Sequence, residues 1–356
     1  MAGTLLNTSA KKEHEAMMDS TPTCTLVGTV KDEGPYLLEW ISYYKLIGFE
    51  RIFVASNDSE DRTREMLDAL DAAGEITHLE NSVHIKGEPE DPQNRAYQRF
   101  WTMPDVKGSD WILVADADEF LNIHAGDGTL DALFEGLKAR GSADADVLSA
   151  TWRVFGNGGV TQFEDAPILE QFSRSAPPGV HRIQRYTGFK TMFRPRGVRR
   201  LGVHRPKYAP RFRNGTVPLK WVNGSGEEMP AQYITQGWRS FEGSYGDALV
   251  SMNHYMIKSS EAFLMKRYRG TANSADAERI DFSYFETFNA NHVENVSIQR
   301  HVPALRAAIE DLKLRVPKLR DLHEESLAWH RKRLDVARAE VVADLPEIAQ
   351  KLGLVA

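Results

Sequence analysis

The chain has 356 residues, 42% of them hydrophobic, and a net charge of −6. That size suits one large globular domain plus a smaller one, and the charge leaves no global pull towards nucleic acid. A single cysteine, Cys24, excludes an intrachain disulfide framework and a thiolate zinc site and fits a reducing cytosol. No run approaches the roughly eighteen apolar residues of a membrane span. Residues 1–21 lack the apolar core of a signal peptide and read as a mobile tail.

Strand and helix patterns alternate from residue 22 to about 150. Residues 25–30 are a short β-rich run, and Pro35 suits the first turn of a helix. Leu37, Ile41 and Tyr44 share one face of that helix, and Gly48 stops it. Residues 51–55 are a second strand, followed by the polar loop 57–61. Met66, Leu67 and Leu70 mark a helix that ends at Gly74, before a weaker strand over 76–79. Residues 91–103 read as a helix carrying Tyr97, Phe100 and Trp101. Residues 111–115 are a buried strand. Leu130, Leu133, Phe134 and Leu137 form a helix before Gly141, and 147–154 is a fifth strand. Repeated units of this kind predict an α/β fold, a mostly parallel central sheet with helices on both faces.

In such sheets ligands sit beyond the carboxyl ends of the strands. Three polar clusters fall there: Lys31-Asp-Glu33, Asn57-Asp-Ser-Glu-Asp61 and Asp116-Ala-Asp-Glu119. In the last, Asp116 and Asp118 lie on the same side if the strand continues. Like charges that close repel, and the usual remedy is a cation. Hard oxygen ligands beside open space suit Mg²⁺ or Mn²⁺ shared with a substrate phosphate.

Residues 155–260 lose the regular pattern and read as a loop-rich binding region. From 182 to 213 there are eleven Lys or Arg and no Asp or Glu. Lys190 and Arg194 are among them, and arginines can meet a diphosphate bidentately. His204 and His254 are candidates to complete a metal shell. Glu119, Glu164, Asp165 and Glu170 are candidates for a general base, which must reach an acceptor hydroxyl. From about 300 the pattern is helical, with Leu305, Ile309, Leu312 and Val316 at helical spacing.

The ordered set of Lys31-Asp-Glu33, Asn57-Asp-Ser-x-Asp61 and Asp116-Ala-Asp-Glu-Phe120 resembles a family 2-type nucleotide-sugar glycosyltransferase with the GT-A fold, in the bacterial group with a DADEF box. Trp152-Arg-Val-Phe-Gly156, Phe189-Lys190, Gly202-Val-His204 and His254-Tyr255 with Lys258-Ser259 are similar to the same group, and also to the related family 92-type enzymes. The resemblance spans roughly residues 23–270. It implies a GT-A domain over 22–270, with a nucleotide-binding half at 22–150 and an acceptor and diphosphate half at 151–270. A helical region would follow at 271–356.

The resemblance further implies that Asp32 and Asp58 line the nucleoside pocket, with Lys31, Glu33 and Asp61 nearby. Asp116 would meet ribose or metal, and Asp118 would bind Mn²⁺ or Mg²⁺. His204 or His254 would complete the site. The donor would be a nucleotide sugar, with a UDP-sugar favoured, and the acceptor a glycan or lipid-linked hydroxyl. By the same resemblance transfer would be inverting; it would be non-processive, since the membrane helices and Gln-x-x-Arg-Trp motif of processive synthases are absent. The expected location is cytoplasmic, at the inner membrane face if Lys313, Arg315, Lys318 and Arg320 touch lipid. Two other readings compete. An apolar strand ending in Asp-x-Asp also opens haloacid-dehalogenase-type phosphatases, where the first Asp is a nucleophile. The chain could also be a GT-A-like protein that binds without catalysis.

Overall fold

The computed structural model describes residues 22–82, 91–179, 184–269 and 281–355. The expected tail over 1–21 and Arg182 of the basic segment lie outside them. Strand β1 (Cys24–Val30) is buried along its whole length, as a central strand must be. It pairs in parallel with β2 (Arg51–Ser56) and with β4 (Trp111–Val114), while β3 (Thr77–Glu80) pairs in parallel with β2. Helices α1 (Gly34–Leu46), α2 (Thr63–Ala72) and α3 (Pro92–Thr102) fill the crossovers. Pro35 sits in the first turn of α1, and the Asp91 side chain caps α3 by accepting from Asn94 N at 3.0 Å.

The chain then departs from simple alternation. After β4 it turns and forms β5 (Glu119–Ile123), which the sequence reading missed. Helix α4 (Leu130–Ala139) leads to β6 (Val147–Val154). Two further strands, β7 (Phe189–Phe193) and β8 (Val250–His254), lie in the stretch read as loop-rich. β7 is antiparallel to both β4 and β6; β8 is parallel to β6 and antiparallel to β5. The order is β3-β2-β1-β4-β7-β6-β8-β5, with the short strand Trp221–Val222 also paired to β6. The sheet is mostly parallel and flanked by helices, as expected.

Alternation along each strand feeds two cores. Leu26, Trp111 and Leu113 face one layer with α1, α2 and α4; Val27, Ile112 and Val114 face the other with Ala96, Tyr97 and Phe100 of α3. After α5 (Ser260–Arg269) come the long helices α6 (Val302–Arg315) and α7 (Leu319–Asp344), followed by the short helix Pro346–Lys351. Leu305, Leu312, Val316 and Leu319 join the α1 core, while Leu334 and Val341 join a third cluster with Phe263 and Leu264 of α5. Among the expected lipid-facing cations, Lys313 and Arg320 pair with Glu310, and Arg315 with Asp311 and Glu75. No helix among the described residues is long and apolar enough to cross a membrane.

One tie binds the irregular region to the regular one. Glu39 of α1 is fully enclosed and accepts from the backbone N–H of Ile168 at 2.7 Å and of Leu169 at 3.0 Å. Burial pushes its carboxyl up from 4.5 to about 7, although those N–H donors oppose the shift. Between these two values the native state holds more protons than the unfolded chain, so stability falls as pH rises from about 4.5 to about 7. Urea unfolding across this range should show that fall in the wild type and a flatter profile in Glu39→Gln, whatever the substitution costs at pH 4.5. Parallel profiles would contradict the assignment.

Candidate functional site

The three polar clusters do converge on one edge, because β1, β2 and β4 run in parallel. Their roles differ from the expectation. Asp61 is fully buried; its carboxylate accepts from Gly34 N at 2.9 Å and Thr63 N at 3.0 Å, so it fastens the starts of α1 and α2 together. Asp32 and Asp58 both take left-handed backbone conformations, with φ of 48° and 47°. Asp32 Oδ1 accepts from Glu60 N at 2.7 Å, which joins the β1 and β2 loops. Asp58 is exposed and accepts from Ser82 Oγ at 2.7 Å. Glu33 lies 3.5 Å from Lys258 Nζ. Lys31 lines a cavity with Asp32.

At the third cluster extension does not continue. Glu119 N donates to Asp116 O at 3.0 Å, and the chain turns through Ala117 and Asp118. The two aspartates consequently meet different cations. Asp116 Oδ2 lies 3.0 Å from Lys190 Nζ, and its Oδ1 accepts from Gln93 Nε2 at 3.3 Å. Asp118 Oδ2 lies 2.8 Å from Lys266 Nζ, and its Oδ1 lies 3.3 Å from His254 Nε2. Burial raises the Asp118 carboxyl, but Lys266, His254 and Lys258 outweigh it and hold the group well below the usual carboxylate range.

Glu119 is fully buried and has both oxygens engaged. Oε2 contacts Lys190 at 3.0 Å and accepts from Asp116 N at 2.9 Å; Oε1 accepts from Trp152 Nε1 at 2.8 Å. Burial raises its carboxyl, and the Lys190 charge opposes the shift. Lys190, itself fully buried, is pushed down by burial yet raised overall by Asp116 and Glu119. It stays an ammonium ion.

The histidines flank this cluster. His254 pairs with Glu119 in the β8–β5 register and packs 4.6 Å from the Trp152 ring. Its Nδ1 is buried, 3.7 Å from Glu119 Oε1. His204 stacks on Trp238 at 4.3 Å, and burial followed by the Lys190 charge lowers it to about 3. It is therefore neutral at physiological pH. Its Nδ1 faces Phe189 O at 3.3 Å, a carbonyl that can only accept, so the proton is on Nδ1 and Nε2 keeps its lone pair.

Two expected residues lie elsewhere. Arg194 stacks at 4.6 Å over Trp111, at the amino end of β4 and so the opposite edge of the sheet from Asp116. It cannot face a diphosphate at the acidic cluster. Glu170 is bound by Arg306 of α6, with Nε 2.7 Å from its Oε2, and is not brought to the cluster. Two more residues of the basic segment are absorbed structurally, whereas Arg199, Arg200, Lys207, Arg211 and Arg213 are exposed. Arg196 pairs with Asp146, and Arg205 donates to the carbonyls of Ile234 and Thr235. Gln93 and Lys266 were missed. Both lie on helices where a polar residue normally reads as solvent-facing.

Residues 24–221 match the family model for glycosyltransferase family 92. The chain belongs to this family. Of the two families its motifs resemble, this is the one whose model matches, and it makes the protein a glycosyltransferase. No curated protein matches the chain. Distant likenesses to solved structures accompany the family match. S. aureus TarS 1–349 in complex with UDP aligns at 12% identity and TM-score 0.31, over 93% of this chain and 92% of that one. The galactosyltransferase LgtC, solved with donor and acceptor sugar analogues, aligns at 12% identity and TM-score 0.32, over 78% and 99%. A mycobacterial protein aligns at 13% identity and TM-score 0.24; that alignment takes in 37% of this chain and 41% of the other.

The buried charges of this family 92 chain make a stability prediction. Removing one partner of a buried ion pair typically costs about 3–5 kcal/mol. Lys190→Met should lose roughly that much in urea at neutral pH, and adding Glu119→Gln should recover part of it. A single variant within about 1 kcal/mol of wild type would show that the cluster does not hold the strand ends together.

Proposed function

We propose that the enzyme transfers one sugar from a nucleotide-sugar donor, a UDP-sugar first, to a hydroxyl of a glycan or lipid-linked acceptor. Transfer in this reading is metal-dependent and inverting. The observation that carries it is the pair Asp118 Oδ1 and His254 Nε2, 3.3 Å apart at the carboxyl edge of the sheet. That separation suits two neighbouring ligands of one cation.

The donor set fits Mn²⁺ or Mg²⁺. It offers one hard oxygen and one imidazole nitrogen, and the Glu119 carboxylate lies 3.7 Å from His254 Nδ1. Among the described residues no group of three or more His, Cys, Asp or Glu could hold a metal. A shell begun by Asp118 and His254 would thus be finished by diphosphate oxygens and water, the habit of these ions. His204 lies close enough to Asp116 and His254 to feel their charges. Such an ion, when bound, neutralises charge on the leaving nucleoside diphosphate.

The chain's own residues supply the rest. Glu119 positions: it fixes the Asp116 backbone, Lys190 and the Trp152 indole together. Asp116, held through Oδ2 by Lys190 and partly exposed, would accept from ribose hydroxyls. Lys266 lies beside Asp118 and adds positive charge where the diphosphate would arrive. Asp32 and Asp58 remain candidates for the nucleoside. Neither Glu119 nor Glu170 is free to act as the base in this reading. The phosphatase alternative falls with the family assignment.

Thermal unfolding with UDP, GDP and CMP, each with and without Mn²⁺, tests the reading. A ligand at about 100 times its dissociation constant stabilises by about 2.7 kcal/mol. One nucleotide should give a metal-dependent shift that Asp118→Asn abolishes, measured against that variant's own unliganded midpoint. Nucleotide binding that survives both a chelator and Asp118→Asn would refute the metal assignment. No shift with any nucleotide would favour a protein that binds glycan alone. The anomeric configuration of the product, read by NMR, decides inversion.

A further inference from the structure

A cavity of about 180 Å³ has Lys266, the partner of Asp118, in its lining. It is walled by the β1 loop, the segment after β8, α5 and α7. Its lining holds four cations, Lys31, Lys258, Lys266 and Arg333, against two carboxylates, Asp32 and Glu60. Asp32 is already bonded to the Glu60 backbone. Lys258 also faces Glu33 and Lys266 also faces Asp118, so the excess of cations belongs to the lining alone.

Two of these cations are held in particular poses. Lys258 has a left-handed backbone, φ 59°, that an L-residue adopts at a cost, and its Nζ lies 3.7 Å from the Tyr36 ring centroid. Arg333 of α7 lies 4.6 Å from the Tyr268 ring and 5.6 Å from the Trp329 ring. Its Nε is buried without a hydrogen-bond partner among the described residues, and its Nη2 lies 4.0 Å from a carboxylate oxygen of Glu60. A planar guanidinium flanked by aromatic rings, with little carboxylate to satisfy it, suits a phosphate approached bidentately.

We propose that α7 is a wall of the substrate pocket, and that Arg333, with Lys258 and Lys266, receives a phosphate group of a substrate whose ring packs on Trp329. This helix lies beyond residues 24–221, the segment that matches the family. The phosphate could be the donor's diphosphate or one carried by the acceptor. The proposal rests on the donor reading above only for the first of these sources.

Calorimetric titration of the full chain separates the cases. The probes are UDP, uridine, inorganic pyrophosphate and glucose 1-phosphate, with Mn²⁺ present. Arg333 is partly exposed, so Arg333→Gln should keep the wild-type unfolding midpoint; Arg333→Lys retains the charge and should bind between the two. A loss of about tenfold in UDP and pyrophosphate affinity in Arg333→Gln, with uridine unchanged, supports the proposal with the donor as the source. Unchanged UDP affinity with a tenfold loss for glucose 1-phosphate supports it with the acceptor as the source. Affinities that match wild type for every phosphate probe, or no phosphate binding by wild type, overturn it. If pyrophosphate binding depends on Arg333 while no nucleotide binds more tightly than pyrophosphate, the nucleotide reading fails and this inference stands.

Discussion

The buried contact of Lys190 with Asp116 and Glu119 is the constraint on which the site depends. An ammonium ion and a carboxylate, each fully buried, are expensive to remove from water, and one cation facing two carboxylates offsets that cost only in a fixed geometry. The geometry is fixed from four directions. Lys190 is on β7, Asp116 follows β4, Glu119 begins β5, and the Trp152 indole on β6 donates to Glu119. Within the main sheet these strands are consecutive in the chain, yet only β6 and β7 pair with each other as successive strands, and β5 lies at the far end of the sheet. The ion cluster thus depends on the completed sheet.

A consequence follows for the second aspartate. Because Glu119 occupies the buried side of the turn, Asp118 is displaced from Asp116 and takes separate partners in Lys266 and His254. The repulsion that two adjacent carboxylates would suffer is divided between two cations from distant parts of the chain. Asp116 and Asp118 thus sit at one edge in different surroundings, the first on a buried lysine of the sheet, the second beside a lysine of α5 and a histidine of β8.

Much of this was legible in the sequence, and the limits have physical causes. The parallel half, β1 to β4 with its helices, announces itself because strands buried on both faces are nearly all apolar and amphipathic helices keep their period. Placing three polar loops at one edge needs only that the strands run parallel. β5 was missed because Glu119-Phe-Leu-Asn-Ile begins with a buried charge and follows the acidic box without a break. β7 was missed because Lys190 and Thr191 interrupt its apolar pattern, and they do so because Lys190 faces the cluster. Arg194 was misplaced for a related reason. Without knowing that β7 is a strand, the distance from Lys190 to Arg194 cannot be read as the width of the sheet. Glu170 could not be sorted from any other surface carboxylate until Arg306 was seen beside it.

The precision of the edge depends on elements that carry no chemistry. Asp61 ties the first turns of α1 and α2, and Asp32 ties the β1 loop to the β2 loop. α7 then lies across them. Arg62 Nε meets Glu325 at 2.8 Å, and Gly34 has no room for a Cβ, which would come within 2.1 Å of Ser326 Oγ. The same helix places Leu319 in the α1 core and Leu334 in the cluster with α5. It therefore spans both layers that carry the cations around Asp118, Lys258 and Lys266 among them. A helix in that position cannot shift without moving the loops at the strand ends, so the spacing of the acidic edge is set as much by the last quarter of the chain as by the segment that contains the aspartates.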